Sequence, residues 1–276
     1  MKKSGLFLFI LLTYLLTWAV EIPIAFSSHG LSNIKIPKGL QTVSTLTPGL
    51  VALLLTGIFG GTNSLKLLLR QLIKWRVPFK WYAFIFITGV LISGFSLLIF
   101  LVVTKENVHV EPAYSLLFYM VIFLFFSPLW EEIGWRGYLL PRMQALFNPI
   151  QASLIIGFIW GLWHLPIYLA INPYGNKTIL FFLFVFIGCF PISILQTWLY
   201  NSTKGSLLLC VLFHDAINAA AGYFYLNLTN REIRPFVISV AFFACVAIWV
   251  FIKTRGTLNY NNQTKNINAI PNKSTT

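Results

Sequence analysis

Apolar runs long enough to cross a hydrocarbon core recur from one end of this sequence to the other, and that recurrence leaves few folds open. A helix needs roughly 20 residues for the crossing. Eight segments come forward: about 5–26, 45–60, 80–104, 114–140, 150–171, 178–200, 206–226 and 234–252. The second is the shortest, contains Pro48 and ends at Gly60-Gly61. These runs are too continuously apolar for barrel strands, and a helix satisfies its own backbone hydrogen bonds in lipid. The chain is 57% hydrophobic and 10% charged, whereas about a quarter of the residues of a soluble domain carry charge. The expected fold is all-α, a polytopic membrane bundle of about eight transmembrane helices, in a multi-pass protein of the cell membrane whose first partner is the lipid bilayer.

Topology accounts for the formal charge of +13. With both termini cytoplasmic, fourteen of the twenty Lys and Arg residues fall on inner segments and six on outer loops, as the positive-inside rule requires. The inner stretch 66–80, KLLLRQLIKWRVPFK, spaces its cations three to four apart among leucines. That pattern suits an amphipathic helix on anionic headgroups and argues against a nucleic-acid partner. Lys2 and Lys3 precede a first run too long for a secretory signal, so it reads as a retained anchor. Cys189, Cys210 and Cys245 lie inside spans and set up no disulfide framework. The organisation is an integral membrane domain, 1–253, followed by a polar cytoplasmic tail, 254–276, whose Asn- and Thr-rich composition points to disorder.

Inside such a bundle ionisable side chains are the informative ones, because each costs at least ~2.5 kcal/mol at the centre of a spanning helix. Glu106, Glu111, Glu232, His29 and His109 fall in loops and read as solvated. Glu21, Glu131, Glu132, His164, His214 and Asp215 fall within spans. Glu21 reads as a structural or interfacial hydrogen-bonding group. Asp215, the single aspartate, reads as a residue behind a site rather than in it.

Spacing then groups the remainder. In LWEEIGWRGYLLP, 129–141, Glu132 and Arg136 stand four apart with the acid first, the favourable order for an ion pair on one helix face. Glu131, about 100° further round, is free to point elsewhere. In the next span FIWGLWHLP sets Trp160 four residues before His164. In the seventh, FHDAINAA sets His214 and Asn218 one turn apart on one face, and the flanking Ala216, Ala219, Ala220 and Ala221 allow close helix approach. Glu131, His164 and His214 fall within ~6 Å of one depth at a rise of 1.5 Å per residue. Taken singly, an intramembrane histidine most often bonds a neighbouring helix, and Trp135, Trp160 and Trp163 pack or anchor. Taken together, the set aims a carboxylate, two imidazoles and a carboxamide into one cavity.

Three of these stretches resemble the motifs of one family. EEIGWRG fits the Glu-Glu-x-x-x-Arg motif, WGLWH the aromatic-x-x-x-His motif and HDAIN the His-x-x-x-Asn motif of the CaaX prenyl protease 2 and bacteriocin-processing (CPBP) intramembrane proteases. That group also contains lysostaphin-resistance-like and bacteriocin self-immunity proteins. The match covers roughly 115–225 in the family's order, with Trp160 where many members have Phe. The first helices carry no signature of it. The resemblance implies an intramembrane endopeptidase that hydrolyses a peptide bond near the C-terminus or in the membrane segment of its substrate, a membrane peptide or a lipidated protein such as the prenylated CaaX type. Glu131, assisted by His164, would bind and deprotonate a water. His214 and Asn218 would stabilise the oxyanion, Glu132 and Arg136 would hold Glu131, and Trp160 would form an aromatic wall. Glu131, His164 and His214 would also make a three-ligand zinc site with one open position, in keeping with the name metalloprotease. The same groups suffice without metal, and the metal-free, glutamate-dependent reading is preferred.

Other intramembrane chemistries lack their residues. The sequence has no His-Glu-x-x-His for a zinc helix, one Asp where a two-aspartate mechanism needs a pair, and no Gly-x-Ser-Gly. Two other classes stay open. A proton-coupled transporter would use Glu131, His164 and His214 as a relay and show inverted repeats and broken helices, which the sequence does not display. A non-catalytic immunity or binding protein on the same scaffold would tolerate loss of Glu131.

Overall fold

A computed structural model of the protein describes residues 3–33, 37–105, 112–171, 175–225, 228 and 232–261. Within these residues the chain is helix and turn without strand. Its helices are α1 (Lys3–Ser28), α2 (Lys38–Ser44), α3 (Thr47–Leu72), α4 (Lys80–Thr104), α5 (Tyr114–Phe126), α6 (Pro128–Gln144), α7 (Pro149–Ala170), α8 (Gly175–Ser202), α9 (Leu207–Tyr225) and α10 (Arg234–Lys253). Seven are long and apolar enough to cross a membrane, and α5 with α6 makes an eighth span bent by 45°. The spans fall where the hydropathy of the sequence puts them, and the protein is a multi-pass membrane protein. Outward-facing Val103, Leu117 and Phe118 are exposed, as a surface in contact with lipid tails should be.

Three details depart from the sequence reading. The basic stretch 66–80 is not one surface helix. The chain breaks at Gly61, whose φ of 70° and ψ of −173° suit a residue without a side chain. The arm after Gly61 runs to Leu72, residues 73–79 are irregular, and Lys80 opens α4. The fourth run, continuous by hydropathy from 114 to 140, is broken at Ser127. The beginning of the polar tail is docked: Leu258 is buried, its carbonyl accepts from Asn201 Nδ2 at 3.1 Å, and Asn259 Nδ2 donates to Ser202 Oγ at 2.8 Å. Residues 262–276, the rest of that tail, lie outside the described residues, as do Glu106, His109 and Glu111.

Small residues bring the site-bearing helices together. A Cβ on Gly89, in a π-helical stretch of α4 (Ile87–Leu91), would lie 2.5 Å from Ala216 Cβ of α9. At the start of α3 a Cβ on Gly49 would meet the Trp130 carbonyl oxygen at 2.7 Å. A Cβ on Gly134 would meet the Pro48 carbonyl carbon at 2.8 Å. Residues 48–49 and the first turns of α6 therefore pack backbone to backbone, and Trp135, Tyr138 and Leu139 follow as part of the largest apolar core.

Because the atoms facing Gly134 are the backbone and ring of Pro48, they have little room to yield. Gly134→Ala is expected to destabilise the detergent-solubilised protein by about 1–3 kcal/mol, the usual cost of overpacking. A thermal unfolding midpoint equal to that of the parent would show instead that the α3–α6 crossing opens freely.

Candidate active site

Glu131 is positioned by a helix break. Pro128 has no N–H and disfavours helix at the residue before it, so α5 ends at Phe126, Ser127 leaves the helical region with φ −144° and ψ −74°, and α6 restarts at Pro128. One turn into α6, Glu131 Oε1 accepts a hydrogen bond from the Ser127 hydroxyl at 2.5 Å, and Oε2 accepts from the Trp160 indole N–H at 2.7 Å. The residue is only 2% exposed. Two direct donors offset the loss of water around a buried carboxyl.

His164 stands at a second break, two residues before Pro166. Its backbone N–H turns to the Gly161 carbonyl at 3.3 Å, three residues back, closing a tighter turn than the α-helical one. The Trp160 carbonyl accepts from the imidazole Nδ1 at 2.9 Å instead. A carbonyl only accepts, so Nδ1 carries the proton and Nε2 of the neutral ring presents a lone pair. That nitrogen faces Glu131 Oε2 across 4.0 Å. The gap is too wide for a direct hydrogen bond and suits one small molecule bonded to both.

On α9, His214 Nδ1 donates to Glu132 Oε1 at 2.9 Å, and Arg136 Nη1 donates to the same oxygen at 3.0 Å. The i,i+4 ion pair read from the sequence is present, fully buried. It does a different job from the one expected of it: Glu132 and Arg136 hold His214, while Ser127 and Trp160 hold Glu131. Trp160 also lies 5.0 Å beneath the Arg136 guanidinium, with its ring 5.1 Å from His214 and 5.7 Å from His164. It therefore spaces the two imidazoles and donates to the carboxylate, which no wall of Phe could do.

One cavity of about 420 Å³ is lined by Glu131, His164, His214 and Asn218, together with Ser127 and Trp160. Three helices, α6, α7 and α9, thus bring the sequence-derived residues to one space, with Glu132 and Arg136 behind it. Asp215 points away: it is 1% exposed and does not line the cavity. Trp135 packs edge-on to Phe9 and Trp163 at 5.8 and 5.9 Å. Among the described residues no three His, Cys, Asp or Glu side chains form a group able to hold a metal ion, and both oxygens of Glu131 already accept protein hydrogen bonds.

Several contributors were not legible from motif spacing. The Ser-Pro step at 127–128 was the available signal for Ser127. From α1, the Trp18 indole donates to the Trp163 carbonyl at 3.2 Å, Thr17 Oγ1 accepts from the Trp163 indole at 2.9 Å, and Tyr14 donates to the Ile159 carbonyl. Trp163 then meets His164 edge-on at 4.9 Å. Glu21, a turn further along α1, lines the cavity as well. Where α2 meets α3, Ser44 donates to Glu21 Oε1 at 2.9 Å, and Thr45 donates to the Phe126 carbonyl at 2.5 Å, beside the break that sets Glu131.

Comparison with known proteins meets the same region. Residues 113–220 match the family described as type II CAAX prenyl endopeptidase Rce1-like. Over 111 residues, 38% of this chain, the protein is 33% identical to the CAAX prenyl protease 2 of Methanococcus maripaludis. The match spans 41% of that relative's length. The Rce1-like segment contains Ser127, Glu131, Glu132, Arg136, Trp160, His164, His214 and Asn218. The α1 residues and the α2–α3 junction lie outside it.

Removing one partner of a buried pair strands the other. Glu132→Ala leaves Arg136 as an uncompensated buried cation and is expected to cost about 3–5 kcal/mol, read by thermal or denaturant unfolding in detergent. The double variant Glu132→Leu with Arg136→Met should recover most of that loss. Equal stability of the single variant and the parent would mean that the pair is not desolvated.

Proposed function

We propose that this protein is an intramembrane endopeptidase of the CAAX prenyl protease type, with Glu131 and His164 activating a water and His214 and Asn218 stabilising the oxyanion. The observation that carries the reading is the 4.0 Å gap between Glu131 Oε2 and His164 Nε2 in the wall of a lipid-embedded cavity. A carboxylate and an imidazole lone pair, each oriented from behind, face one position at water-bridging range. The Rce1-like match over the same residues supports the same activity.

The chemistry follows from the hydrogen bonds. A water held between Glu131 and His164 Nε2 adds its oxygen to the substrate carbonyl carbon and gives a proton to Glu131. The carbonyl oxygen becomes an oxyanion between the Asn218 amide and His214. Since His214 Nδ1 is committed to Glu132, the ring donates from Nε2 as the imidazolium, with the Glu132 carboxylate as its counter-charge. Collapse of the tetrahedral intermediate breaks the C–N bond, and Glu131 returns the proton to the leaving nitrogen. The products are a carboxylic acid and an amine, with no acyl-enzyme between. Ser127 and Trp160 keep Glu131 aimed throughout.

The substrate assigned is a membrane-associated protein or peptide cut near its C-terminus, of the lipidated CaaX type. The cavity supports this with an apolar wall, including Phe123, Phe181 and Val240, beside the polar one. Both termini are assigned to the cytoplasm from the asymmetry of Lys and Arg.

The test is cleavage of a farnesylated CaaX peptide by the purified protein. Glu131→Gln and His164→Ala are each expected to abolish turnover while leaving the unfolding midpoint unchanged, and retained cleavage in either overturns the assigned roles. Trp160→Phe, which keeps the ring and removes one hydrogen bond to a charged group, should slow turnover about 10- to 100-fold. Activity that survives exhaustive chelation, with no stoichiometric metal by elemental analysis, is the expected outcome for a glutamate-based site; loss restored by zinc would replace it with a metal-based one.

A further inference from the structure

We propose that Glu21 of α1 is a substrate-anchoring residue, whose second carboxyl oxygen takes a hydrogen bond from a backbone N–H of the peptide held in the cavity. The proposal rests on the endopeptidase reading above and adds a residue outside the Rce1-like segment.

Glu21 is 1% exposed, lines the same cavity as Glu131, and uses only half of its hydrogen-bonding capacity. Oε1 accepts from Ser44, while Oε2 is buried without a partner. Among the described residues the other buried carboxyl oxygens without partners belong to Glu132 and Asp215, neither of which lines the cavity. Both oxygens of Glu131 are engaged. Among the described residues Glu21 Oε2 is therefore a buried carboxyl oxygen, on a side chain that lines the cavity, that no protein donor meets.

A purely structural role explains only Oε1. Tying α1 to α2 through Ser44 needs one acceptor, and a neutral amide would supply it with no second oxygen left over. The ligand class follows from the medium: an extended peptide drawn into a lipid-embedded cavity loses water from every N–H and must find acceptors on the wall. Much of this wall is aromatic and aliphatic.

The position of Glu21 relative to the catalytic groups is set by the chain around it. The Ser44 carbonyl accepts from Thr47 Oγ1 at 2.9 Å and from Thr17 Oγ1 at 3.4 Å, and the same Thr17 oxygen receives the Trp163 indole N–H. Residues 17, 18 and 21 share one face of α1. The face that clamps the residue before His164 thus also presents the carboxyl, so a peptide anchored on Glu21 is held at a fixed distance from the bond to be cut.

The experiment measures KM and kcat for the farnesylated CaaX peptide with the parent, Glu21→Leu and Glu21→Gln, and affinity for a fluorescein-labelled copy in the non-cleaving Glu131→Gln background. Glu21→Leu should raise KM and weaken binding about tenfold, one hydrogen bond's worth, with kcat little changed. Glu21→Gln, whose single oxygen is taken by Ser44 and whose NH2 would then face the peptide N–H, should not restore the affinity. N-methylation of the peptide amides in turn should identify one position whose methyl group weakens binding to Glu21 protein but adds nothing to the Glu21→Leu loss. Cleavage by the parent with the same KM in Glu21→Leu, or strictly additive losses at every methylated position, overturns the anchor alone. Absence of both cleavage and binding by the parent overturns the endopeptidase reading and the anchor with it.

Discussion

A charged cluster buried in a lipid-embedded bundle has no water to fall back on, and the arrangement of this protein's centre follows from how its few ionisable groups satisfy one another. Glu132 Oε1 is the junction. It accepts from Arg136 on its own helix and from His214 on α9, so the tie that neutralises the arginine also fixes the imidazole that faces the cavity. A local i,i+4 pair thereby becomes a cross-link between α6 and α9. The guanidinium is covered on one side by Trp160, and the same indole reaches forward to Glu131. One carboxylate and one indole thus connect three helices with very little polar material.

The two groups proposed to activate water both sit beside interruptions in helical hydrogen bonding. Proline removes a donor and crowds the preceding turn, and each break is put to use. At Ser127 the released residue turns its hydroxyl to Glu131. At His164 the released Trp160 carbonyl takes the imidazole N–H, which decides which nitrogen is left to face Glu131. Continuous helices would have kept the Trp160 carbonyl for its backbone partner and Ser127 on the helical face. Backbone groups must be satisfied in lipid, and here side chains of the site satisfy them.

The Rce1-like segment does not stand by itself. Hydroxyls at Thr17, Ser44, Thr45 and Thr47, together with the indole of Trp18, bind α1, α2 and α3 to the breaks that carry Glu131 and His164. Gly49 and Gly134 allow backbones to touch at the same crossing. One side of each contact to Phe126, Trp163 and Gly134 comes from outside the matched segment 113–220, so α1, α2 and α3 help to hold it.

The number and placement of the spans, the all-helical class and the grouping of Glu131, His164, His214 and Asn218 were legible in the sequence alone. Hydropathy over about twenty residues and side chains repeating every turn are properties of neighbouring residues and need no knowledge of the fold. The role of Trp160 as a donor, the transfer of the Glu132–Arg136 pair to His214 and the arrival of Glu21 in the cavity were not. Each depends on which helix lies against which and at what rotation. Packing of small residues and pairing of buried polar atoms settle that between segments far apart in the chain, and only the tertiary structure brings them together.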